Sequence, residues 1–154
     1  MRNWIKVVLT SKESILHACT TLDKQIDSAA QEAFRLSGQQ AYDIISTLLD
    51  KKHDLQCLLL LRESMLNQLN DREILFEKYI EGLVTRDEIC DELEIKQKAF
   101  RKMLDSLYAK LFKHCIELGY NKVYFERHYS KIGFLWSKYQ KLSKTAVMVD
   151  DGKM

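Results

Sequence analysis

Between residues 11 and 36 the apolar positions recur at alternating intervals of four and three: Ile15, Cys19, Leu22, Ile26, Ala29, Ala33 and Leu36. That is the spacing of a heptad seam, and it predicts an amphipathic helix. Thr10 followed by Glu13 supplies a capping-box start, and Ser37-Gly38 supplies the break. A second long helix is predicted over residues 39–68, carrying Ala41, Ile44, Ile45, Leu48, Leu49, Leu55, Leu58, Leu59, Leu61, Met65 and Leu66. Its seam is less regular, because it passes Lys52 and Arg62. A short break between two amphipathic helices favours an antiparallel hairpin. The apolar excess at residues 58–61 suits either a dimer interface or packing within the chain. The first nine residues, with Trp4, Ile5, Val7, Val8 and Leu9, fit a short strand or an apolar lead-in to a helix equally well.

Residues 69–113 change character. Asn70 and Glu73 form an Asx-x-x-Glu capping box ahead of a helix with Ile74, Leu75, Tyr79 and Ile80 on one side, and Gly82 is its stop. Thr85 and Glu88 form another box, opening a short helix over residues 86–92 whose inner face is Ile89, Cys90 and Leu93. A turn at Glu94-Ile95-Lys96 leads into a third helix. There Ala99, Phe100, Met103, Leu104, Leu107, Tyr108 and Leu111 keep three- and four-residue spacing. The segment 114–154 ends the third helix near Gly119. It then predicts one last helix over residues 121–143, with Phe125, Tyr129, Ile132, Trp136, Tyr139 and Leu142 in a stripe, and a frayed tail from Thr145 to Met154. Aromatic residues interleaved with Lys and Arg can stack on bases, but the helical stripe favours a core or interface role. The expected organisation is therefore all-α: a helical hairpin (1–68), a three-helix module (69–113) and a basic, aromatic C-terminal segment (114–154).

The order Leu69-Asn70-Asp71-Arg72-Glu73, Tyr79-Ile80-Glu81-Gly82-Leu83, Thr85-Arg86-Asp87-Glu88-Ile89-Cys90 and Glu92-Leu93-Glu94-Ile95 resembles the C-terminal helix-turn-helix of sigma-70-type factors, region 4. It is also similar to small phage transcriptional activators that carry the same module. The likeness covers under a third of the chain. Three positions depart from the family pattern. Glu94 stands at the turn position usually held by Gly, where a positive φ is common and costs a side chain. Lys96 stands where Ser would cap the recognition helix, leaving that cap weak or missing. Phe100 replaces a smaller aliphatic core residue.

What the resemblance implies is a sequence-specific DNA-binding transcription regulator whose third helix docks in the major groove. On the matching positions Gln97 is the candidate for adenine and Arg101 for guanine O6 and N7, with Lys102 one turn along. Lys96 and Lys98 suit phosphate, as do Thr85 and Arg86 at the start of the preceding helix. Asp105 lies on the same helix, where it would repel phosphate unless it faces a cytosine amine. The implied partners are double-stranded DNA and RNA polymerase, and the apolar excess of the hairpin adds a second copy of the chain as a further expected partner. No segment resembles the sigma region that melts promoters. The rival expectation is a protein-interaction adaptor that keeps the fold without binding DNA.

Composition sharpens this picture. The 154 residues include no Pro and only five Gly, which favours long helices over turn-rich β structure. The net charge is only +2, but it is unevenly placed. Acids dominate residues 70–94 and bases dominate residues 96–144, and the polarity switches at the turn before the third helix. A basic half suits a phosphate backbone. The four Cys show no C-x-x-C spacing, no stretch reads as a signal peptide, and no apolar run reaches the ~20 residues of a membrane span. Reduced thiols in a cytoplasmic protein are the simplest expectation. His53 and Cys57, His17 and Cys19, and His114 and Cys115 are the only pairings that hint at ligands, and none has metal-site spacing. There is no Gly-rich phosphate loop and no nucleophile arrangement, so we expect neither enzyme, cofactor nor metal.

Overall fold

The computed structural model describes the backbone of residues 1–151 and the side chains of residues 1–144. The chain is all-α: eight α-helices and one 3-10 turn, with no strand among the described residues. The helices are α1 (Arg2–Thr10), α2 (Lys12–Glu32), α3 (Gly38–Asn67), α4 (Asp71–Ile80), α5 (Arg86–Leu93), α6 (Gln97–Glu117), α7 (Lys122–Tyr129) and α8 (Gly133–Asp151). No helix is long and apolar enough to cross a membrane. The chain divides into two compact units. One comprises Met1–Thr10 and the chain from Leu61 onward, and the other is Ser11–Leu60, with the boundary inside α3.

In the larger unit α1 is the central element. Ile5, Val7 and Val8 are weak helix formers, and nine residues are too few for a helix to persist alone in water. Burial decides the matter. Trp4, Ile5, Val7, Val8 and Leu9 are all essentially inaccessible, each contributing roughly 1.5–3 kcal/mol of burial against a propensity cost of a few tenths per residue. The Trp4 ring stacks on Tyr139 at 4.3 Å and on Phe125 at 5.4 Å. The aromatic stripe of the C-terminal segment thus serves as core around Trp4, rather than as an exposed platform for bases. The end of α1 is closed by cations. The Leu9 carbonyl accepts from Arg62 Nε at 3.2 Å, and the Thr10 carbonyl accepts from Lys138 Nζ at 2.7 Å, where positive charge meets the negative end of the helix.

Three expectations about helix ends are corrected. Thr10 does not form a capping box with Glu13: it lies in the last turn of α1, and its hydroxyl donates back to the Lys6 carbonyl at 2.6 Å. Ser11 precedes α2 instead, without a side-chain cap. The helix expected over residues 121–143 is two helices, broken at Ser130–Ile132 and restarted at Gly133. Asn121 caps the first by accepting from the Tyr124 amide at 2.8 Å. The expected frayed tail is also displaced, since α8 runs on to Asp151; residues 152–154, and the side chains from Thr145, lie outside the described residues.

In the smaller unit the Ser37-Gly38 break is also a capping box that starts α3. Ser37 Oγ accepts from the Gln40 amide and Gln40 Oε1 accepts from the Ser37 amide, both at 3.1 Å. Asp23 of α2 pairs with Lys52 of α3. Ile15, Leu22, Leu55 and Leu58 are buried, while Phe34 and Tyr42 are largely exposed.

Candidate nucleic-acid interface

The surface in question is built on α4, α5 and α6. The Asn70 side chain accepts from the Glu73 amide at 2.9 Å, and the Glu73 carboxylate accepts from the Asn70 amide at 3.0 Å, completing the predicted box. Glu73 also takes Lys110 of α6 at 2.8 Å, which ties the start of α4 to the middle of α6. Below that tie Phe100 stacks on Phe76 at 5.2 Å and meets the edge of Tyr79 at 5.0 Å. The large Phe100 is accommodated because α4 supplies two aromatic partners. Ile89 locks α5 into the same core, being 1% exposed.

Three helices here end in the same way. After α4 the Leu83 amide donates to the Lys78 carbonyl and Gly82 to Tyr79; after α6 the Tyr120 amide donates to Cys115 and Gly119 to Ile116. After α5 the Ile95 amide donates to Cys90 at 3.0 Å and Glu94 to Asp91 at 3.4 Å. Each is a Schellman closure with a left-handed residue at its centre. Gly82 (φ 79°) and Gly119 (φ 89°) occupy that position at the first and third, and Glu94 (φ 53°) at the second. Glu94 is the only non-glycine with positive φ among the described residues. The turn therefore keeps the geometry that a glycine would give it, at the cost of a strained side chain.

That turn delivers Lys96 as the N-cap of α6, extended at φ −89°, ψ 163°, with no side-chain cap hydrogen bond. Gln97 and Arg101 follow as one i, i+4 row and Lys98 and Lys102 as the neighbouring one, and all are exposed. None of Lys96, Lys98, Arg101 and Lys102 has an ion-pair partner among the described residues. These five polar residues, Lys96 included, are brought together at the start of α6. Thr85 and Arg86 are not part of that cluster: they begin α5, about 12 Å of helix away from the turn at 1.5 Å per residue. Thr85 Oγ1 accepts from the Glu88 amide at 3.2 Å, which is half of the predicted box and leaves its O–H free to donate. Arg86 reaches Asp87 only at 3.8 Å.

No protein-family model, characterised protein or solved structure matches the chain.

Two further residues shape this surface, and of these only Arg72 was absent from the sequence expectation. Asp105, one turn beyond Arg101 on the same exposed row of α6, is held by Arg2 of α1 at 3.0 Å. Its repulsion toward an anion is thereby reduced, and no local pattern signals a pair 103 residues apart. Arg72, in the first turn of α4, lines a surface groove of about 250 Å³ with Lys102, Met103 and Ser106, adding a cation beside α6. Pairing also subtracts from the basic half counted along the sequence. Lys110 is engaged by Glu73, Lys122 lies 3.8 Å from Glu126, and Lys138 caps α1.

The histidine and cysteine pairings do not assemble a centre. Among the described residues no group of three or more His, Cys, Asp and Glu converges as a metal site. His53 Nε2 lies 3.6 Å from Cys57 Sγ, and His114 Nε2 shares a 2.8 Å hydrogen bond with Ser64 Oγ. All four cysteines are free thiols. Cys115 is fully buried, and burial pushes its thiol up to about 12, which makes it an inert core residue.

Proposed function

We propose that the protein is a sequence-specific DNA-binding transcription regulator in which α4, α5 and α6 form a sigma-like helix-turn-helix and α6 docks in the major groove. The observation that carries this reading is the start of α6. Gln97, Lys98, Arg101 and Lys102 are exposed in two adjacent rows, free of intramolecular ion pairs among the described residues, directly after a left-handed turn. Gln97 and Arg101 have the donor and acceptor pattern for adenine and guanine edges. Lys96, Lys98 and Lys102, with Thr85 and Arg86 across the width of the motif, supply phosphate contacts. The acidic surface of α5 faces away from the duplex in this arrangement and suits a basic patch on RNA polymerase. For the smaller unit we propose an antiparallel α2–α3 hairpin, supported by the Asp23–Lys52 pair, with exposed Phe34, Tyr42 and Leu60 serving a second copy of the chain. The protein acts in the cytoplasm and has no catalytic or cofactor role in this reading.

The test is selection from a random duplex library, followed by titration of the enriched site. Wild type binds it selectively, and affinity falls steeply with salt. Arg101→Ala loses about 1–3 kcal/mol and relaxes one base position, whereas Lys98→Ala weakens all sequences alike and lowers the salt slope by about one. If no sequence is enriched and binding to mixed duplex DNA is insensitive to salt, the DNA reading fails. The acidic face of α5 then makes a protein-interaction adaptor the better description.

A further inference from the structure

A cavity of about 450 Å³ lies within the larger unit, walled by α1, α4, α6 and α8. Its lining is chemically one-sided. Arg2, Lys6 and Lys138 bring three cations to it, and no carboxylate lines it among the described residues. Arg2 lies over the Tyr108 ring at 4.0 Å and also reaches Asp105 outside the cavity. Lys138 donates to the Thr10 carbonyl. Lys6 has no acidic partner among the described residues. Apart from Thr10, the rest of the described wall is apolar or aromatic, including Leu104, Leu142 and the face of Tyr108. Tyr108 is 5% exposed, and its hydroxyl is buried without a hydrogen-bond partner.

Holding Lys6 half-buried beside Arg2 with no acidic partner among the described residues is unfavourable, because the two cations repel and the ammonium loses water. The strain registers on Lys6, whose ammonium is made easier to deprotonate by burial and by the Arg2 charge beside it. A bound anion would reverse both effects. A volume toward the small end of ligand pockets, with a few polar groups on an apolar wall, is the form of a small-molecule site. We propose that this cavity binds a small organic anion, a phosphate or carboxylate carried on an apolar body, with Lys6, Arg2 and Lys138 on the charged head and Leu104, Leu142 and Tyr108 against the body. This inference stands on the cavity alone and does not depend on DNA binding. The two readings meet in α6, which supplies both Arg101 and, one turn further on, Leu104.

Calorimetric titration of the full chain tests it with four probes. Phenyl phosphate and phenylacetate carry head and body, inorganic phosphate carries the head only, and benzyl alcohol the body only. The expected result is one site per chain for at least one of the two aryl anions, at least about tenfold tighter than for either half-probe, as one charge-assisted hydrogen bond alone would give. The preferred aryl anion identifies the headgroup. Lys6→Met keeps the aliphatic stem and should weaken that binding roughly tenfold, while Lys6→Arg should restore it. Failure of wild type to bind either aryl anion overturns the proposal. So does equal binding of inorganic phosphate or of benzyl alcohol, or unchanged affinity in a Lys6→Met protein that keeps its helical circular dichroism. If Lys6→Met does not fold, the probe comparison and Lys6→Arg decide.

Discussion

Replacing Glu94 by glycine should make this protein more stable, although the change deletes a side chain and enters no core. Glu94 sits at φ 53°, ψ 47° in the closure after α5, and an L-residue in the left-handed region costs roughly 1–2 kcal/mol. Glycine removes that cost but gives back about 0.5–1 kcal/mol through the extra freedom of the unfolded chain. The carboxylate also lies at the negative end of α5, behind exposed Asp91 and Glu92, and its removal adds a few tenths of a kcal/mol at low salt. The balance is a gain of about 1 kcal/mol, or ~2–4 °C in melting temperature for a chain of this size. Gly82 and Gly119 already hold the same position in the two matching closures, so the substitution introduces no new geometry. Thermal and urea unfolding should be followed for wild type, Glu94→Gly and Glu94→Gln. Glutamine keeps the backbone strain and removes only the charge, so it should recover just the electrostatic fraction. Equal stabilisation by Gln and Gly would refute the backbone argument, as would a Glu94→Gly protein no more stable than wild type.

Other outcomes follow from the same structure. Lys96→Ser should gain about 0.5–1 kcal/mol by supplying the absent cap at the start of α6; on the DNA reading it should also weaken duplex binding at low salt, so melting temperature and affinity move in opposite directions. Glu77 is 4% exposed, and burial, reinforced by the neighbouring Glu81 carboxylate, raises its pKa to about 8. The folded chain therefore holds a proton that the unfolded chain releases near its ordinary value of 4.5. This contribution is fully present below that value and is lost as pH rises through about 8. Glu77→Gln should match wild type in stability near pH 4 and exceed it by on the order of 1–3 kcal/mol at pH 8; denaturant melts at the two pH values that show parallel behaviour would exclude a buried, protonated Glu77.

What the sequence determined by itself is what its nearest neighbours enforce. Asn70 with Glu73, Thr85 before Glu88, and the stops at Gly82 and Gly119 all act over three to five residues, and each lies in the structure where the sequence put it. The all-α class follows from the same local periodicity, and so does the exposure of Gln97, Lys98, Arg101 and Lys102, because they fall between the apolar positions of α6. The tertiary structure decided the rest. Whether Trp4 to Leu9 became strand or helix depended on the surfaces offered by α4, α6 and α8, since those residues have little helical preference of their own. Once α1 formed, it claimed Thr10, which is why the expected cap at Glu13 did not appear. Contact between Arg2 and Asp105, and the collection of Arg2, Lys6 and Lys138 around one cavity, join residues more than a hundred positions apart. Helical periodicity records which face of a segment is apolar, but not which other segment covers it, and it is that choice of partner that placed the charges.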